Sequence, residues 1–340
     1  MPDFLIQLHE YVMDADRVPF LVASIVVTFV CGLVTGPLAG NANPLFWLFY
    51  DVFLGRLGDR MDKTSRPRAD LIMRGFILTV FALFFALMLG RILRRFSVHY
   101  ALLEVILISL CLAGGAAWYL LLKLYFTLEK GQPVKGVYYG LSRSTRTNLN
   151  STDTHGLVRE AISYGAISLD KGLIAPSLWY LIGGLPVLLV YTTVSALAWR
   201  FGKCGFTKGF GLVPLALEKL MGFVPSMFTG MLLSAASALT PGASIGRALA
   251  QWWAARGAVA YEQGGPVLSA VSWPLNISIG GPVQDLSGSA LRKSWVGPAG
   301  ASAKIEHGQL KRAIYTYVMA VLVFVLALLA AYVYAGHAGF

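Results

Sequence analysis

Apolar residues gather along this chain in long runs, not in the alternating or short periodic patterns of a soluble domain. About 20 helical residues cross the roughly 30 Å hydrocarbon core of a bilayer. Runs near 18–35, 71–90, 101–122, 174–199, 210–239 and 314–335 come close to or exceed that length. The pattern predicts an all-α polytopic membrane protein with about six transmembrane helices, forming a single integral-membrane domain over residues 1–340. The run at 101–122 tolerates Glu104 near one end. Two runs are interrupted, the fourth by Pro176, Gly183, Gly184 and Pro186 and the fifth by Pro214 and Pro225. Such breakers make either a kinked span or a re-entrant piece, because irregular backbone at membrane depth is tolerated only where protein buries it or it lines a cavity. Four-span and five-span arrangements stay open on this pattern. The first run follows Glu10, Asp14 and Asp16 without a basic leader, so it reads as a retained helix and not as a signal peptide.

Two long polar-to-mixed segments, 123–173 and 240–313, separate the later runs. In the first, Thr152 or Asp153 can cap a helix starting at Thr154, with Leu157, Val158, Ala161 and Ile162 at helical spacing. In the second, 244–265 reads as an amphipathic helix, followed by a Gly- and Pro-rich connection around a short helix. Long structured loops tend to carry function. Between the first two runs, Phe46, Phe49, Tyr50, Phe53 and Leu57 form an aromatic face ending in Arg56, Asp59 and Arg60, as expected of an interfacial helix.

Composition agrees with the pattern: 56% of residues are hydrophobic, 13% are charged and the mean hydropathy is +0.64, which excludes an ordinary soluble domain. The net charge of +11 fits anionic lipid heads and the positive-inside bias. No basic stripe interleaved with aromatics is present, so no nucleic-acid partner is expected. Arg56, Arg60, Lys63, Arg66 and Arg68 place the loop between the first two runs in the cytoplasm, and 123–173 and 240–313 follow to the same side. Arg91, Arg94 and Arg95 then fall outside, against that bias. Cys31, Cys111 and Cys204 lack any metal-ligand spacing and read as small core residues.

No P-loop, zinc-protease motif, nucleophile elbow or dinucleotide fingerprint occurs, and the histidines are scattered singly. Ionisable residues near the apolar runs stand out: Glu104, Asp170 with Lys171, and Glu218 with Lys219. Charges at membrane depth are functional candidates, although snorkelling or local pairing at a helix end would also satisfy them. The turn at Gly280, Gly281 and Pro282, and the pair Gly264 and Gly265, either present backbone N–H groups to an anion such as phosphate or simply make tight turns. Arg143, Arg146 and Arg159 either add phosphate-binding charge or are solvated loop arginines.

The order of these pieces resembles the CobD/CbiB family of cobalamin biosynthesis. That family carries E-N-x-x-D-G-x-x-A-P-x-x-Y/F, then a G-G-x-P turn and a tyrosine, and this chain keeps Gly172, Ala175, Pro176, Tyr180, Gly183, Gly184, Pro186 and Tyr191. Asn43 and Pro44 stand where the family has His-Pro, and Arg74 and Gly75 are similar to its R-x-x-G. Phe210, Gly211 and Pro225 match its F-G…P-A-R segment, and Ile279 to Pro282 its L-G-G-P. The family's Glu, Asn and Asp fall on Ile167, Ser168 and Lys171. Its later Asp pair falls on Glu218 and Lys219, its Arg on Ala216 and its Asn on Gly222.

The resemblance implies a multi-pass protein of the bacterial cytoplasmic (inner) membrane that joins aminopropanol phosphate to a carboxylate of adenosylcobyric acid, as an adenosylcobinamide-phosphate synthase. Mg2+ and ATP would be its cofactors if it is catalytically active. On this reading Asp170 and Glu218 are the catalytic candidates, with Glu218 also the metal ligand. Arg143, Arg159, Lys171, Gly280, Gly281 and Pro282 bind substrate or phosphate. Asp170 is offset by one residue from the family's Asp, about 100° around a helix. The partners implied are a corrinoid or other small molecule and the lipid bilayer. Loss of the acids supports the alternative, a non-catalytic relative with an accessory, binding or signalling role, as in AmpE-like proteins.

Overall fold

The computed structural model describes residues 16–63, 65–97, 99–133, 135–150, 152–202, 209–254, 265–286, 290–291 and 294–338. Glu10, Asp14, Cys204, Gly264 and the part of the second amphipathic helix after 254 lie outside the described residues. The bundle consists of α1 (Arg17–Thr35), α2 (Leu45–Met61), α3 (Arg68–Ser97), α4 (Ala101–Cys111), α5 (Gly115–Glu129) and α6 (Lys135–Thr145), then α7 (Thr154–Leu169), a π-helical turn (Asp170–Ile174) and α8 (Ala175–Phe201). After these come α9 (Leu212–Ser237), α10 (Ile245–Ala254), α11 (Gly265–Leu275) and α12 (His307–Ala338). Among the described residues five helical stretches are long and apolar enough to cross a membrane, or six if the bent pair α4 and α5 is one span. The chain is an all-α polytopic membrane protein.

The third apolar run is not one straight helix. It breaks at 112–114, and α4 and α5 meet at 43°. Gly115 lies so close to the Phe29 backbone of α1 that any side chain there would strike it. The Ala113 N–H freed by the break donates to the Gly172 carbonyl in the π-helical turn, at 2.6 Å. A broken helix thus keeps its backbone satisfied by bonding a neighbour.

The fourth run departs further from expectation. The loop helix and the span form one stretch, Thr154–Phe201, of 48 residues, which drawn straight would be about 72 Å long. It folds back at Gly184, whose φ of 61° and ψ of −160° leave the helical region. The rings of Trp179 and Tyr191 stack with centroids 6.4 Å apart, whereas a straight helix would separate those positions by about 18 Å. Gly183, Gly184 and Pro186 therefore form the tip of a helical hairpin: glycine takes the positive φ without a Cβ clash, and proline fits the first turn of the returning arm. Arg17 Nη1 braces the tip by donating to the Leu181 carbonyl at 2.8 Å.

The returning arm ends beside α2, where Arg200 pairs with Asp51 and Asp59. Residues 200–202 and 209–211 thus share the end of the bundle that carries α2, whereas six alternating spans would place the connection between the fourth and fifth at the opposite end. α9 begins beside Gly202, and just past its far end Thr240 Oγ1 lies 3.1 Å from Thr316 Oγ1 in the early turns of α12. Both ends of α9 consequently face the same, loop-bearing end. Small strands cover that end. β1 (Thr147–Asn148) pairs antiparallel with β3 (Val283–Asp285), which pairs with β4 (Ala290–Leu291), and β2 (Ile279–Gly280) pairs with β5 (Trp295–Val296). On α2, Phe49, Phe53 and Leu57 are exposed as the interfacial reading requires, but Tyr50 turns inward with Trp47 and Leu54.

Candidate functional site

Asp170 and Lys171 are consecutive residues on the π-helical turn, a widened backbone found often at functional sites, and both reach α9. Asp170 is 1% exposed and accepts from Ser226 Oγ at 2.6 Å and Thr229 Oγ1 at 2.9 Å. Glu218, 2% exposed, pairs through Oε1 with Lys171 and through Oε2 with Lys219 at 3.2 Å. Two carboxylates and two ammonium groups compensate one another. An isolated charge at such depth would cost several kcal/mol.

The structure therefore brings Asp170, Lys171 and Glu218 together, and it consumes them in doing so. Both oxygens of Glu218 face ammonium groups, and both oxygens of Asp170 accept hydroxyl hydrogens. This arrangement does not fit a magnesium ion, which demands near-octahedral oxygen ligands. Among the described residues no group of three or more His, Cys, Asp or Glu is placed to hold a metal.

A second cluster forms at the loop-bearing end. Asp153 caps α7, accepting from the Gly156 N–H at 2.8 Å, which sets the start of the helix that carries Arg159 in its second turn. The Arg159 guanidinium lies 5.4 Å from the centre of the Trp295 ring, donates through Nη1 to the Ala303 carbonyl at 2.6 Å, and lies 3.8 Å from Asp153. Its Nε is buried without a hydrogen-bond partner. The β2–β5 pairing sets Gly280 opposite Trp295. Gly281 has φ +90°, and a Cβ there would stand 2.7 Å from the same ring, so only glycine fits beside the indole. Arg159, Gly280 and Gly281 thus converge around Trp295, and Pro282 follows next in the chain. Arg143 lies apart, donating to the Ala39 carbonyl at 2.5 Å and stacking on Tyr139. Lys171 is committed to Glu218.

Of a third group at the same end, the sequence marks only Asn43, through its pair with Pro44, and Arg146. Ser144 receives Asn43 Nδ2 at 2.9 Å and Trp199 Nε1 at 2.8 Å on its carbonyl, and its Oγ accepts from the Ala42 N–H. The Tyr164 hydroxyl approaches Asn43 Oδ1 at 3.4 Å. Arg146, at φ 54°, sits 5.2 Å from the Trp199 ring and 3.7 Å from Asp51. Burial, and then the neighbouring Arg200 charge, pull its pKa below the usual guanidinium range. Residues 43, 144, 164 and 199 meet because the hairpin folds back. No local pattern marks them, apart from the Asn43–Pro44 pair.

Against known proteins, the model of the family described as "CobD/Cbib protein" matches residues 38–334. The cobalamin biosynthesis protein CobD of Brucella suis is 26% identical over 216 residues, which cover 60% of this chain. Its counterpart in Clostridium perfringens is 26% identical over 220 residues, 62% of this chain and 67% of that protein. That of Klebsiella pneumoniae is 31% identical over 151 residues, 42% of this chain and 44% of that protein. The chain spans 66% of the length of the Brucella relative, just under two thirds. No solved structure matches. With the match running from the loop after α1 to the last turns of α12, the chain belongs to the CobD/CbiB family.

Proposed function

We propose that the protein serves cobalamin biosynthesis in the bacterial inner membrane, joining the amine of aminopropanol phosphate to a carboxylate of adenosylcobyric acid. The observation that carries this reading is the convergence of Arg159 and the Gly280–Gly281 turn around Trp295. A guanidinium with a buried, unpartnered Nε beside a glycine-rich turn suits a phosphate, and the indole offers a flat apolar platform. ATP would activate the acid by phosphorylating its carboxylate. The amine would then attack the acyl carbon and release inorganic phosphate. Asp170 and Glu218 act here as positioning residues, holding the outgoing arm of the hairpin against α9 through Ser226, Thr229 and Lys171.

A second reading, a non-catalytic relative that binds a corrinoid or another small molecule, is favoured by the same geometry, since Glu218 is ion-paired with Lys171 and Lys219 and Asp170 accepts from Ser226 and Thr229. Mass spectrometry separates the two. The protein in lipid nanodiscs is incubated with adenosylcobyric acid, aminopropanol phosphate and magnesium ATP, beside a relative with intact acidic motifs. Amide product is expected. Its absence, with the relative active and this protein folded, rules out the synthase reading and leaves the binding one.

A further inference from the structure

At the loop-bearing end, α5 and α12 part to leave a cleft of about 400 Å³ lined by Leu122, Tyr125, Phe126, Glu129, Lys311 and Ile314. Its chemistry is graded. Leu122, Phe126 and Ile314 form the apolar part, and Phe126 is 50% exposed on the side of the bundle. Tyr125, Glu129 and Lys311 form the polar part. The Tyr125 hydroxyl donates to Glu129 Oε1 at 2.6 Å, and Lys311 Nζ lies 5.7 Å from the centre of the Tyr125 ring. The two walls therefore carry opposite charges, Glu129 on α5 and Lys311 on α12, separated by an aromatic ring. Among the described residues no salt bridge joins them.

A purely anionic ligand would be repelled by Glu129, and a purely cationic one by Lys311. From this pairing we propose that the cleft binds the headgroup of an aminophospholipid, with the phosphate on Lys311, the primary ammonium on Glu129 and an acyl chain along Leu122, Phe126 and Ile314. A primary ammonium donates hydrogen bonds to a carboxylate; a trimethylammonium has no N–H to donate. The cleft thereby distinguishes phosphatidylethanolamine from phosphatidylcholine of the same net charge. The apolar surface of α12 continues from the cleft through exposed Leu322, Leu326 and Leu329, which gives the acyl chain a path along the helix. The proposal is independent of the synthase reading, since none of these residues belongs to the clusters described above.

Native mass spectrometry of the full chain in detergent tests it, titrating phosphatidylethanolamine, phosphatidylcholine and phosphatidylglycerol with identical acyl chains. The ethanolamine lipid is expected to bind about tenfold more tightly than the choline lipid, roughly the effect of one charge-assisted hydrogen bond. Glu129→Gln should erase that preference while leaving choline-lipid binding unchanged, and Lys311→Gln should weaken binding of all three. Both side chains are exposed, so folding is unaffected, and Ile314→Trp, filling the apolar part, gives an independent loss of retention. Equal binding of the ethanolamine and choline lipids, or a preference that survives Glu129→Gln, overturns the proposal. Displacement of the lipid by millimolar phosphoethanolamine also overturns it, since the cleft would then be a site for a soluble amine phosphate.

Discussion

Lys171 and Glu218 show how single residues hold charge inside helices built for lipid. Lys171→Met leaves Glu218 with one ammonium partner, and Glu218→Met leaves two ammonium groups in close quarters. Breaking a buried pair in this way is expected to lower stability by about 3–5 kcal/mol, whereas replacing both members together should recover most of the loss. Thermal unfolding of the detergent-solubilised single and double variants reads this directly. Additive losses would show that the pair is not coupled. At the loop-bearing end, Gly281→Val drives a side chain into Trp295 and Arg159→Gln removes the charge. Each is expected to weaken aminopropanol-phosphate binding roughly tenfold, about the value of one charge-assisted hydrogen bond. Unchanged affinity in both would reduce the glycine turn to a structural device.

Among the elements, the hairpin at Gly184 decides most. Its backbone, φ 61° and ψ −160°, lies in a region that is essentially restricted to glycine. Gly184→Ala is therefore expected to destabilise the protein by about 1–3 kcal/mol. A cysteine pair replacing Trp179 and Tyr191 should be joined by a short bifunctional maleimide within one chain, since their rings stack at 6.4 Å. A straight helix would hold the two about 18 Å apart and give no such product. The paired arms explain why glycine and proline crowd the fourth apolar run. From sequence, that crowding was compatible with either a kink or a re-entrant piece. The choice lies in the angle at the break, which is set by Arg17 and by the close approach of Gly90 to Pro186, and neither partner is local.

For the whole molecule, the described residues within 36–67, 123–153, 200–211 and 240–306 gather at one end of the bundle, and most of the described arginine and lysine gathers with them. The positive-inside bias predicts that this end is cytoplasmic. In a cysteine-free background, single cysteines at exposed Lys63, Lys130 and Pro241 are expected to react with an impermeant maleimide only when the cytoplasmic face is open. A cysteine at Arg95 should react from outside. Labelling of the first three from different sides would contradict the common face. The basic group at Arg91, Arg94 and Arg95 stays at the opposite end, and nothing in the structure explains its departure from the bias.

The linear chain was sufficient for the membrane class, the positions of nearly every long helix, the cap at Asp153, and the family carried by Ala175, Pro176 and the Gly183–Gly184–Pro186 cluster. These are local properties: a run of apolar side chains enters lipid whatever its neighbours do, and a glycine or proline restricts its own backbone. Only the tertiary structure decided that the fourth run folds back, that α9 starts and ends at one face, that Glu218 is committed to Lys171 and Lys219, and that Arg159 meets the glycine turn at Trp295. Each of these is a contact between residues distant in sequence. Its energy depends on how helices are placed against one another, and many placements bury the same apolar surface equally well.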